Sequence, residues 1–176
     1  MRKYLLTFFF MTVMLLNING QSEVIFNSVP IVNSKVVFEH FILTDNDLTA
    51  EDAYARLQKW VRDKFRGNQS VTGIRFDDKG HFITVSAKTD VNESTTMNYR
   101  IDTSITSPGC MIIIRDITYQ TKNDDSSFFP KMISAEQTIT DQAINSGADK
   151  QFRTDVRRST LSFVNEVYTE IKSLYQ

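Results

Sequence analysis

Apolar and polar residues alternate most cleanly in the middle of the chain, where Met97, Tyr99, Ile101 and Ile105 stand against Asn98, Arg100, Asp102 and Ser104. A period of two with one apolar side predicts an antiparallel strand, one face on the core and one open to water. It is the third of four strand-like segments arranged as two hairpins. Val71 to Phe76 and His81 to Lys88 flank the turn Asp77-Asp78-Lys79-Gly80, and Thr96 to Thr106 and Cys110 to Tyr119 flank Ser107-Pro108-Gly109. Pairing Ile105 with Met111 sets Tyr99 opposite Ile117 and Arg100 opposite Asp116. That register matches apolar with apolar and opposite charges on the wet face, so it is expected over a one-residue slip.

The period changes on either side of these strands. Ala53, Leu57, Trp60, Val61 and Phe65 recur at helical spacing behind Thr49-Ala50-Glu51-Asp52, which has the form of a capping box with Asp in the place of Glu or Gln. Gly67 with Asn68 provides the stop. Lys35 to Leu43 before the helix reads as a strand with two largely apolar faces: Val36, Phe38, His40 and Ile42 on one, Val37, Glu39, Phe41 and Leu43 on the other. Coverage on both sides is expected for part of it. Residues 21 to 35 read as a lead-in, with a short strand at Val24 to Phe26 and a break at Pro30. A polar loop from Gln120 ends in Phe128-Phe129-Pro130, and a short helix is expected from Ser134 with Gln137 closing a second capping box. The last element is a helix from Lys150 to Leu174, its buried stripe formed by Phe152, Val156, Phe163, Val164, Val167, Ile171 and Leu174.

The first twenty residues follow a different rule. Arg2 and Lys3 precede an apolar run from Tyr4 to Leu16, and Asn17 to Gly20 close it, the order of a secretory signal peptide. The run is shorter than the ~20 apolar residues of a bilayer crossing. No integral membrane segment is expected once it is removed. Gln21 and Ser22 follow instead of Cys, so a soluble exported protein, periplasmic or secreted, is expected rather than a lipoprotein. Removal leaves one domain over residues 36–176 behind the lead-in, with 18 Lys and Arg against 21 Asp and Glu, a formal charge of −3. A mildly acidic exported domain is a poor partner for nucleic acid, whose binding rests on neutralised phosphates. Cys110 is the single cysteine, so an intramolecular disulfide is excluded and a buried, inert thiol is expected.

Strand, helix, four antiparallel strands and terminal helix make an α+β two-layer sandwich, a curved antiparallel sheet in β-α-β-β-β-β-α order with helices on one face. The segments Val29 to Glu39 and Leu48 to Phe65, with Tyr99-Arg100-Ile101 and Ile114 to Tyr119, carry a resemblance to a family. The chain resembles exported Bacteroidetes proteins of a domain-of-unknown-function family with a TBP-like fold, over Pro30 to Tyr119 above all. The resemblance implies the fold and the compartment and brings no activity. TATA-binding protein grips DNA with two such repeats. This chain holds one repeat and is acidic, and fold alone does not transfer function.

Chemistry-bearing residues are few. His40 and His81 are the only histidines, and neither has metal-ligand spacing. Both are expected in structural roles, and a Cys–His pair with Cys110 has no signature behind it. Asp45 to Glu51 begins with the acidic spacing of a calcium loop but lacks the Gly at the sixth position, and Arg56 stands where the twelfth needs Glu. No cofactor or metal is expected. The candidate binding residues are Asn98, Arg100 and Asp102 on the wet sheet face, which also holds Ser104 and is extended by Thr84, Ser86 and Lys88 if the strands are neighbours, and Phe128 and Phe129 in the loop. The expected function is non-enzymatic binding of a protein or cell-envelope component. A small hydrolase-like enzyme with an unrecognised site near His40, His81 and Cys110, and a structural subunit assembling through a sheet edge, are the alternatives.

Overall fold

A computed structural model describes residues 24–45, 47–122, 131–146 and 149–176. Asn46, residues 1–23 with the expected signal peptide and the first three residues of the lead-in, residues 123–130 with Phe128 and Phe129, and residues 147–148 lie outside the described residues. A short ribbon, β1 (Ile31–Val32) and β2 (Lys35–Val36), leads into β3 (Phe38–Leu43). Helix α1 (Ala50–Phe65) follows, then β4 (Val71–Asp77), β5 (Phe82–Asn92), β6 (Thr95–Thr106) and β7 (Gly109–Thr121). After β8 (Met132–Ser134) come a single 3₁₀ turn, α2 (Asp141–Ser146) and the long α3 (Lys150–Lys172).

The sheet is antiparallel in the order β3-β7-β6-β5-β4, and β8 joins the edge of β7 beyond the end of β3. The four middle strands form one continuous meander rather than two separate hairpins, because β5 and β6 pair along their length. Asn92 closes their turn by accepting from the Ser94 N–H. Ile83, Val85 and Ala87 on β5, Met97, Tyr99 and Ile101 on β6, and Ile112 and Ile114 on β7 are buried beneath the helices. The α+β two-layer fold with helices on one side of an antiparallel sheet is the one the sequence pattern predicts.

Helix α1 starts as expected, the Thr49 hydroxyl accepting from the Asp52 N–H. Asp52 returns the contact to the Thr49 hydroxyl rather than to its backbone, since its side chain is one methylene too short for a full box. Gly67 ends the helix at φ 68°, a conformation that costs glycine little. Ala53, Tyr54, Leu57, Val61 and Phe65 are buried, and Trp60 is half-buried with its indole N–H donating to Glu170 on α3.

Several expectations need correction. Val24 to Phe26 form no strand; the Ile25 and Phe26 N–H groups donate to the Asn165 side chain on α3, so the lead-in is tied to the domain by a side chain instead of a ladder. The second capping box does not form: Ser134 makes no side-chain cap, the turn Ala135–Gln137 stays 3₁₀, and the hydroxyl of Thr140 accepts from the Ala143 N–H at α2 instead. On α3 the stripe rotates toward Val156, Thr160, Val164, Tyr168 and Ile171, leaving Phe152 40% exposed. Thr160 is buried because its hydroxyl meets both Tyr119 and the Val156 carbonyl. The expected strand Lys35 to Leu43 is split between β2 and β3 and has one buried face, Val36, Phe38 and Ile42; Phe41 and Leu43 on the other are exposed.

The β6–β7 register also differs. Ile105 pairs with Cys110 and Arg100 with Arg115, one residue off the expected match, whereas Asn98 with Thr118 follows it. The turn is tighter than the three residues Ser107-Pro108-Gly109, because Gly109 belongs to β7 and pairs with both Thr106 and Leu43. A Cβ on Gly109 would lie 2.3 Å from the Ile42 carbonyl oxygen, so only glycine permits this approach. The slip is repaired by a bulge in which Asp116 and Ile117 face Tyr99, with Asp116 at φ 55°. Without the extra residue, Ile117 and Tyr119 would point to water.

Candidate functional site

Antiparallel partners lie on the same face, so the pairing sets out rows across the uncovered side of the sheet. The first row holds Phe41, Met111, Ser104 and Phe82. The second holds Glu39, Ile113, Asp102, Thr84 and Arg75, and the third Arg115, Arg100, Ser86 and Gly73. Thr118, Asn98 and Lys88 come next. The expected wet face is therefore real, and Thr84, Ser86 and Lys88 do extend it. It is not uniformly polar. Phe41, Leu43 and Phe82 are among the most exposed large apolar residues described, and with Met111 and Ile113 they gather at one end.

Asp102 organises the polar part. One carboxylate oxygen accepts from Arg100 Nε at 2.9 Å and from the Thr84 hydroxyl at 2.8 Å, and the other accepts from Arg115 Nε at 2.7 Å. Burial works to raise the Asp102 pKa, but the hydrogen bonds from Arg115, Thr84 and Arg100 outweigh it and hold the group below the ordinary carboxylate range. Arg100 and Arg115 are direct cross-strand partners, an arrangement that repels unless an anion sits between them. One carboxylate thus serves two guanidinium groups.

Of the sequence-derived candidates, Arg100 and Asp102 are brought together; Asn98 stands in a different row, its amide nitrogen 4.0 Å from the Met132 sulfur. Arg115 was missed because the expected register put Asp116 across from Arg100. Its position is legible in the switch of apolar residues from Ile112 and Ile114 to Ile117 and Tyr119, which requires an extra residue between them.

A second feature borders the first. Pairing of β3 stops at Ile114 and that of β8 starts at Thr118, so among the described residues no strand pairs with Arg115, Asp116 and Ile117 on this edge. A cleft of about 280 Å³ opens there, lined in part by Lys35, Arg115, Asp116, Ser134 and Glu136. Glu136 is occupied internally, accepting from the Val36 N–H at 2.9 Å. Burial pushes its pKa up, yet the Val36 N–H and the Ser134 hydroxyl bring it below the usual range.

The groups considered for catalysis lie in different settings. Cys110 is fully buried beside Tyr175, and burial pushes its thiol up to about 12. His40 stands edge-on to Tyr168 at 5.9 Å, and His81 lies against the Tyr54 ring at 5.1 Å. Ile105 separates Cys110 from His81, pairing with the first and donating its N–H to the carbonyl of the second. Among the described residues no three His, Cys, Asp or Glu side chains gather as metal ligands. No described helix is long and apolar enough to cross a membrane.

Comparison with known proteins yields structural likeness only. No family model matches the sequence, and no curated protein matches it. A crystal structure of a TBP-like protein from Parabacteroides distasonis superposes with a TM-score of 0.70 at 18% identity, over 84% of this chain and 97% of that one. A DUF4468 family protein from Bacteroides ovatus gives 0.65 at 17% identity, over 85% and 91%. At such identities the likeness establishes the fold alone.

Proposed function

We propose that this TBP-like α+β domain is an exported, non-enzymatic binding module that holds a protein or cell-envelope component on the uncovered face of its sheet. The observation that carries this reading is the composition of that face, where the apolar residues Phe41, Leu43 and Phe82 stand open beside a carboxylate gripped by two arginines. Apolar anchors next to arginine are the residues from which interfaces draw most of their energy. Export rests on the signal-like order of residues 1–20.

Affinity recovery from an envelope extract tests the reading, with wild type, Phe41→Ser/Phe82→Ser and Phe128→Ser/Phe129→Ser as baits. A component held by the wild type should fall at least about tenfold with Phe41→Ser/Phe82→Ser, the loss of one or two hot-spot side chains. Equal recovery by wild type and that variant contradicts a role for the sheet face. Loss confined to the Phe128→Ser/Phe129→Ser bait moves the contact to the loop.

A further inference from the structure

Positive charge is concentrated in the middle of the uncovered face. The second and third rows and the row of Lys88 carry Arg75, Lys88, Arg100 and Arg115 against Glu39 and Asp102, while Asp77 beside Phe82 and Asp90 beside Thr96 lie at the two ends. Arg75 and Lys88 make no ion pair among the described residues. Arg100 and Arg115 each spend only the Nε–H on Asp102, which leaves the remaining donors of each guanidinium without a described partner. Their exposure is 39% and 42% of the side chain, so these donors are within reach from solvent. Asp102 fixes the two groups side by side and neutralises one of the two charges. That is a preorganised receiver for one more oxyanion, and guanidinium forks match carboxylates bidentately.

The apolar row at Met111 and Ser104 lies four residues along β6 from Arg100, about 13 Å at the rise of an extended strand. An extended peptide covers the same distance between side chains four positions apart. We infer that this face receives an extended acidic segment of a partner protein, whose Asp or Glu carboxylate bridges Arg100 and Arg115 while an apolar side chain about four residues away rests on Met111 and the neighbouring Phe41. The inference rests on the binding reading above and specifies the chemistry of its partner.

Selection from a random dodecapeptide phage library on the immobilised full-length mature protein provides the test. Enriched peptides should carry Asp or Glu with an aromatic or aliphatic residue about four positions away. A fluorescein-labelled selected peptide should lose at least tenfold in affinity when its acid is changed to the amide, an arm that leaves the protein untouched. The same peptide should lose at least tenfold on Arg100→Gln/Arg115→Gln, checked for folding by circular dichroism, and less than threefold on Phe152→Ser. Failure to enrich acidic residues, or binding of the amide analogue within threefold, overturns the inference. Binding to phosphatidylglycerol vesicles with no acidic peptide enriched also overturns it, in favour of a membrane surface. An envelope component lost with Phe41→Ser/Phe82→Ser but retained by Arg100→Gln/Arg115→Gln would sink the acidic segment while leaving the binding face standing.

Discussion

Phe38→Ala is expected to cost about 3–5 kcal/mol of folding stability, a fall in Tm of roughly 10 °C for a domain of this size. Phe38 is fully buried, meets Phe26 edge-to-face at 5.2 Å, and its carbonyl accepts from the Tyr168 hydroxyl at 2.8 Å. Truncation removes the ring that packs on Phe26 of the lead-in and leaves a cavity in the core, while the carbonyl that accepts from Tyr168 stays in place. Phe41 on the same strand points to the other face, so Phe41→Ala should cost under about 1 kcal/mol, in line with its exposure. Urea melts of both variants check the pair. Similar losses would mean that both faces of β3 are covered, as the amino-acid pattern alone implies.

Asp102→Asn is expected to lower stability by about 1–2 kcal/mol at neutral pH, modest because the partners are half-exposed. The substitution keeps the shape but leaves Arg100 opposite Arg115 without the charge between them. The pH dependence follows from the depressed pKa of Asp102. A carboxylate more acidic in the folded than in the unfolded chain stabilises fully above its unfolded pKa, about 3.9, and the contribution disappears as pH falls through the lower folded value. The gap between wild type and Asp102→Asn should therefore be constant from pH 7 to about 5 and close in stronger acid. Denaturant midpoints from pH 7 to 2.5 measure it; a gap unchanged across that range would remove the ion network from the account.

Much of the architecture was legible because its signals are local. The alternation around Tyr99 and Ile101, the stripe of α1 and the Gly67 stop each depend on residues within one element, and each appears in the fold. The failures occur where a distant partner decides. Charge matching favoured Arg100 opposite Asp116, but the backbone approach of Ile42 to Gly109 tightens the turn, and a bulge absorbs the extra residue. Phe41 and Leu43 read as core because they are apolar; no described helix covers them. Tyr168 was overlooked on α3 because its burial depends on the carbonyls of Phe38 and Ile112, from two strands distant in sequence.

The candidate site was half legible for the same reason. Arg100 and Asp102 stand two apart on one strand, a spacing that places them on one face whatever the register. Arg115 enters only once the bulge fixes the pairing, and the apolar row at Phe41 and Phe82 assembles from strands separated by α1 and β4. None of these residues forms a motif in sequence, which is why the function is argued from a face and not from a signature.

Hydroxyl-radical footprinting of the mature protein, free and with a captured envelope component, tests the central claim most directly. The account predicts that Phe41, Phe82 and Met111 lose reactivity on binding while Phe152, exposed on the helical layer, keeps it. Protection of Phe152 with unchanged reactivity at Phe41, Phe82 and Met111 would contradict it.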